Sequence, residues 1–203
     1  MNFSGRLIIY ALLWVSFGLS HSLLATPSGR TRLALLVGSG ERLAYNAIAA
    51  VHLAIVLAIG SWLLAATPAF VVTLPLRVVM LGAAVSGGII LSVAGRSYDL
   101  GRFLGTTPWR QGITESALPT EPLATRGMNS VVRHPLYLGL ILLMFGLSTT
   151  PFRLATSIAA LIYILIGIYF EERKLLIVYG DAYERYRRRV PMLIPMRFPG
   201  RVP

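Results

Sequence analysis

The chain has 203 residues, 55% of them hydrophobic and only 13% charged, and it has no cysteine. A soluble domain carries about a quarter charged residues, so the composition excludes an ordinary water-facing globule, and the missing cysteine excludes disulfides, thiolate metal sites and a thiol nucleophile. The net charge of +11 would suit nucleic acid, but the basic residues border apolar runs, which is the pattern of a membrane protein; nucleic acid is not an expected partner.

A helix that crosses the hydrocarbon core needs about 20 mostly apolar residues. The first such run covers 7–25 and contains His21. Residues 26–42 read as a loop carrying Arg30, Arg32 and Arg42. The second run, 43–66, holds Asn46 and His52. The third, 71–94, has Arg77 near its start, and its Gly82, Gly87 and Gly88 suit close helix packing. Residues 96–133 form the only long loop, rich in glycine and proline, and loops of that length are commonly functional or disordered. The fourth run, 136–147, is short, which leaves open whether it reaches the far leaflet. The fifth, 152–170, is full length. Thr149, Thr150 and Pro151 separate these two, so they read as a tight helical hairpin.

The expected fold is therefore all-α: a single polytopic membrane domain of about five transmembrane helices, with a three-helix part over 1–95, a cytoplasmic loop over 96–135, and the hairpin and tail over 136–203. Sixteen of the 19 lysines and arginines fall after the first, third and fifth runs. The positive-inside rule then puts the C-terminus in the cytoplasm and the N-terminus outside an inner membrane. Only Arg6 precedes the first run, the reverse of a cleaved signal peptide.

After the fifth run, Leu175, Leu176 and Tyr179 continue an apolar face, and Gly180 suits a helix C-terminus. Asp181 with Glu184 reads as a capping box for a second helix, with Tyr183, Tyr186 and Val190 as its apolar stripe and arginines elsewhere. Pro191 ends it. Such a helix would lie on an anionic leaflet, and that placement is compatible with covering a site.

Several side chains suggest chemistry. Glu171 and Glu172 stand where the fifth run meets the cytoplasm, about 100° apart around the helix. One of them can face a cavity while the other pairs with an arginine; alternatively both anchor the interface. Arg133, His134 and Pro135 open the fourth run, with proline suited to a first helical turn. His134 then sits at or beside the N-cap, and the amides of Leu136 and Tyr137 form a cradle for a carboxylate or phosphate, or simply a charged helix entrance. His21 and His52 read as neutral histidines hydrogen-bonded between helices, with haem ligation as the other reading. No metal site is expected.

The stretch VVRHPLYLGLILLMFG resembles the RHPxYxG motif of the isoprenylcysteine carboxyl methyltransferase family. FEERKLLIVYGDAYERYRRRVPMLIP resembles that family's EExxLxxxxGxxYxxYxxxVP motif, in the same order and at the same separation. The N-terminal half is similar to a subgroup of bacterial methanethiol S-methyltransferases and their relatives named after nitric-oxide reductase clusters, through SHSLLATPSGRTR, ERLAYNAIA and the loop YDLGRFLGTTPWRQG.

The resemblance implies an integral-membrane methyltransferase that uses S-adenosylmethionine, bound at the cytoplasmic ends of the last helices beneath the tail. It implies that His134, Pro135, Leu136 and Tyr137, with Arg133 beside them, contact the cofactor, and that Glu171 and Glu172 line the same pocket, one of them catalytic. Gly127, Leu142, Leu147, Ser148, Thr149 and Thr150 fall at further cofactor-contact positions. The eukaryotic prenylcysteine enzymes carry an arginine where this chain has Gly167, so a prenylcysteine carboxylate is not the expected acceptor. A lipophilic or small-molecule substrate bearing a thiol, carboxyl or amine would enter from membrane lipid. The alternative is a non-catalytic membrane accessory protein of nitrogen-oxide metabolism.

Overall fold

The computed structural model describes residues 1–196; Arg197 and Arg201 of the basic tail lie outside the described residues. Among the described residues there is no strand. The chain forms two compact units, one from Met1–Thr67 and Tyr98–Thr120, the other from Pro68–Ser97 with the chain from Glu121 onward.

The first unit is built on α1 (Phe3–Ala25) and α3 (Glu41–Leu63). Asn2 caps α1 by accepting from the Gly5 amide at 2.9 Å. The two helices pack where Gly60 lets the buried Tyr10 ring lie against α3; a Cβ at Gly60 would collide with that ring. On the opposite face of α1, Ile8, Leu12, Val15, Leu19 and Leu23 are all exposed. That helical spacing makes a continuous apolar stripe of the kind water does not tolerate and lipid does. Polar side chains turn inward instead: the Tyr45 hydroxyl meets His21 Nε2 at 2.6 Å, and His52 meets Ser20 at 2.9 Å and Ser16 at 3.3 Å.

The stretch read as a loop after the first span is helical. Thr26 accepts from the Gly29 amide and Pro27 occupies the first turn, so α2 (Pro27–Val37) starts at once and runs through a short 3₁₀ turn into α3. The loop after the third span is also ordered into short helices. Asp99 caps α5 (Leu100–Leu104), Gly105 turns with φ +89°, and α6 (Thr106–Gln111) follows. Asn46 donates to the carbonyls of Phe103 and Leu104. Glu115 pairs with Arg42 at 3.6 Å and Arg102 at 3.3 Å, and its amide donates to the buried Glu41 at 3.1 Å.

The second unit holds α4 (Leu74–Gly95), α7 (Pro135–Gly146), α8 (Pro151–Tyr179) and α9 (Asp181–Arg189). This grouping differs from a three-helix part over 1–95, because α4 belongs with the chain from Glu121 onward. A glycine seam joins it to α7. A Cβ at Gly87 would meet the Gly139 carbonyl at 2.6 Å, and one at Gly146 would run into the backbone of Met80 and Ala84. Of the three glycines expected to pack, only Gly87 does; Gly82 and Gly88 face open space.

The α7–α8 hairpin forms as the spacer suggests. Thr150 accepts from the Arg153 amide at 3.2 Å, and Ser148 and Ser157 bond at 2.8 Å. With 12 residues, α7 rises only about 18 Å, short of the ~30 Å hydrocarbon core. Among the described residues, α1, the run Pro27–Leu63 that contains α3, α4 and α8 are each long and apolar enough to cross, with α7 a shorter apolar helix, as in a multi-pass membrane protein. Gly180, at φ +51°, ends α8.

The tail departs from expectation in two respects. Gly180 is the N-cap of α9 and Asp181 makes no capping bond; Glu184 instead pairs with Arg187 and Arg188. The stripe of Tyr183, Tyr186 and Val190 is buried against Leu123, Leu175, Leu176 and Tyr179. α9 therefore spends its apolar face on the protein rather than on a leaflet.

Candidate active site

Three chain segments of the second unit meet at the start of α7. Pro135 fixes its first turn and His134 is the N-cap. Just before it, the Arg133 amide donates to the Pro191 carbonyl at 2.9 Å and the His134 amide to the Met192 carbonyl at 3.2 Å, so the chain after α9 lies alongside this entrance. The third segment is the end of α8, which carries the two acids.

Arg133 is the hub. Its Nε donates to Glu172 Oε1 at 2.7 Å and Nη2 lies 2.6 Å from the same oxygen. Its Nη1 donates to the carbonyls of Val190 at 2.7 Å and Arg187 at 3.1 Å. These carbonyls end α9, where the helix dipole favours a cation. His134 Nε2 stands 3.2 Å from the same Glu172 oxygen. Glu172 is thus enclosed, with 14% of its side chain exposed, and bound by two basic side chains.

Glu171 is held differently. Tyr137 donates its hydroxyl to Glu171 Oε2 at 3.0 Å, His134 Nδ1 is 3.9 Å away, and 43% of the carboxylate side chain remains exposed. The His134 and Tyr137 rings stack with centroids 5.7 Å apart, forming a flat wall beside it. Tyr183, read from sequence only as part of an apolar stripe, is buried beside Glu172. Burial, and then the Glu172 charge, push this phenol up from its ordinary range.

The structure therefore brings Arg133, His134, Pro135, Leu136, Tyr137, Glu171 and Glu172 to one place. Four of the other expected contact residues lie away from this meeting point. Leu147, Ser148, Thr149 and Thr150 form the turn at the far end of the hairpin. Thr150 caps α8, so Glu171 is roughly 30 Å farther along that helix. Leu142 sits two turns into α7, and Gly127 opens an exposed 3₁₀ turn with φ +62°. Sequence reasoning missed the carbonyls of Arg187, Val190, Pro191 and Met192, since main-chain acceptors leave no residue signature; the prolines and arginines around them were the only hint.

The arrangement can hold a cation against a partly open carboxylate. It can also offer an anion the positive end of the α7 dipole, at the helix start after His134 and Pro135.

No family model matches the chain, and no solved structure matches it. Among curated proteins, methanethiol S-methyltransferase 2 of Bradyrhizobium diazoefficiens is 27% identical over 199 residues, 97% of this chain and 76% of that protein. A methanethiol S-methyltransferase of Crocosphaera subtropica is 47% identical over 66 residues, 32% of this chain and 26% of that protein. The protein-S-isoprenylcysteine O-methyltransferase of Schizosaccharomyces pombe is 35% identical over 81 residues, 36% of this chain and 33% of that protein.

Proposed function

We propose that the chain is a membrane methyltransferase like the relatives it resembles, and that it transfers a methyl group from S-adenosylmethionine to a small or lipophilic acceptor, a thiol first among candidates. The observation that carries this reading is the meeting of the α7 entrance with the two acids, one locked and one partly open. The residues fit the donor: its amino-acid carboxylate matches the positive end of the α7 dipole at the helix start, and its positive groups match the partly open carboxylate of Glu171. S-adenosylmethionine bound there would supply a methyl group on a positively charged sulfur, which leaves as a neutral thioether when the methyl moves.

In this reading the two acids divide the work. Glu172, clamped by Arg133 and His134, sets the floor of the site and fixes the angle between α7, α8 and the tail. Glu171, steadied by one bond from Tyr137, takes the proton of the acceptor as its sulfur bonds to the methyl carbon. The remaining rate gain is alignment of the reacting groups, which the stacked His134 and Tyr137 rings and the rigid helix start provide. The acceptor arrives through the bilayer, and the site opens on the cytoplasmic side, the side to which sixteen of 19 basic residues assign it.

The test is transfer of labelled methyl from S-adenosylmethionine to methanethiol, and to thiol and lipid extracts, by purified protein. Glu171→Gln is expected to lower transfer by about 10²-fold or more with its thermal midpoint unchanged, whereas Glu172→Gln loses midpoint as well as activity. Undiminished transfer by Glu171→Gln overturns the assignment.

A further inference from the structure

The corner between α1 and α2 carries a feature that the methyl-transfer reading does not use. Leu23, Leu24, Leu33 and Leu36 line a groove of about 410 Å³, with Thr26, Ser28, Gly29 and Arg32 at its polar side. Its walls are fixed. Thr26 donates to the Leu23 carbonyl at 2.7 Å and accepts from the Gly29 amide at 3.1 Å, and Gly29 sits so close to the last turn of α1 that a Cβ would collide with backbone. Leu36 in the lining and its neighbour Leu35 are 81% and 82% exposed. Arg32 stands one helical turn before Leu36, on the same face, and no acidic residue occurs in the first 40 positions.

We propose that this groove binds one anionic phospholipid, with an acyl chain along the leucines and the phosphate on Arg32. The lining is apolar except for Thr26, Ser28 and its one cation, Arg32, and the groove follows directly on the long apolar helix α1. A guanidinium takes phosphate through paired N–H bonds, and no acidic side chain lines the groove to compete for Arg32. A soluble apolar partner would have no use for the arginine, and a free phosphate none for the leucines.

Native mass spectrometry of the full chain in detergent tests this, offering equimolar phosphatidylglycerol and phosphatidylcholine with the same acyl chains and, separately, inorganic phosphate. Arg32 and Leu36 are exposed, so Arg32→Gln, Arg32→Lys and Leu36→Asp leave folding intact. The expected result is preferential retention of phosphatidylglycerol, reduced about fivefold in Arg32→Gln, less in Arg32→Lys, and also reduced in Leu36→Asp. Equal retention of the two lipids by the unaltered chain, undiminished phosphatidylglycerol in Arg32→Gln or Leu36→Asp, or displacement of the lipid by inorganic phosphate would overturn the proposal.

Discussion

Inside the apolar helices of the first unit, polar side chains answer one another: His21 faces Tyr45, and His52 faces Ser16 and Ser20. In the second unit, at the end of α8, two neighbouring acids are treated unequally. Glu172 is clamped by Arg133 and His134, while Glu171 keeps one bond to Tyr137 and stays partly open. A polar group that finds its partner within a membrane protein is a fastener. One that is positioned but incompletely used has capacity for a ligand. By that criterion the histidines of the first unit fit a structural role, and the acid pair of the second is the site proposed above.

The contrast is broken most severely at Arg133. Arg133→Met strips Glu172 of its main partner and frees the Arg187 and Val190 carbonyls, so chemical unfolding in detergent is expected to show a loss of about 3 kcal/mol, as for breaking an enclosed ion pair from one side. A loss near zero would mean that the clamp does not hold α7, α8 and the tail together. Next in size is the glycine seam. Gly146→Ala meets the backbone of Met80 and Ala84 and should cost about 2 kcal/mol, while Gly88→Ala, facing open space, should leave the unfolding midpoint unchanged; equal effects would refute the register of α4 on α7. Smallest is His52→Leu, which removes the bonds to Ser16 and Ser20 between α3 and α1 and should cost about 0.6 kcal/mol with methyl transfer unaltered. Loss of transfer there would move the chemistry toward the first unit.

Much of this was legible in the sequence because bilayer thickness and hydrogen-bond satisfaction leave few options. Four long apolar runs and one short one could only be helices, and RHP followed by a later EE pair marked two segments that the fold brings into contact. The helix α2 was not legible in a stretch dominated by Arg30, Arg32 and Arg42, where charge masked the Thr26–Pro27 start. Gly87 and Gly88 are adjacent and chemically identical, and only the rotation of α4 against α7 decides which is covered. The adjacent acids were equally ambiguous. What separates them is Arg133, 39 positions earlier in the chain, together with main-chain carbonyls that no side-chain pattern announces.

Ultraviolet cross-linking of labelled S-adenosylmethionine to the purified full-length chain, followed by peptide mapping, bears most directly on where the chemistry lies. Label confined to peptides containing Arg133–Tyr137, Glu171–Glu172 or Tyr183, and competed away by S-adenosylhomocysteine, is the expected result. Label in peptides of α1 or α3, or no competable label on folded protein, would contradict a methyl-donor site at the α7 entrance.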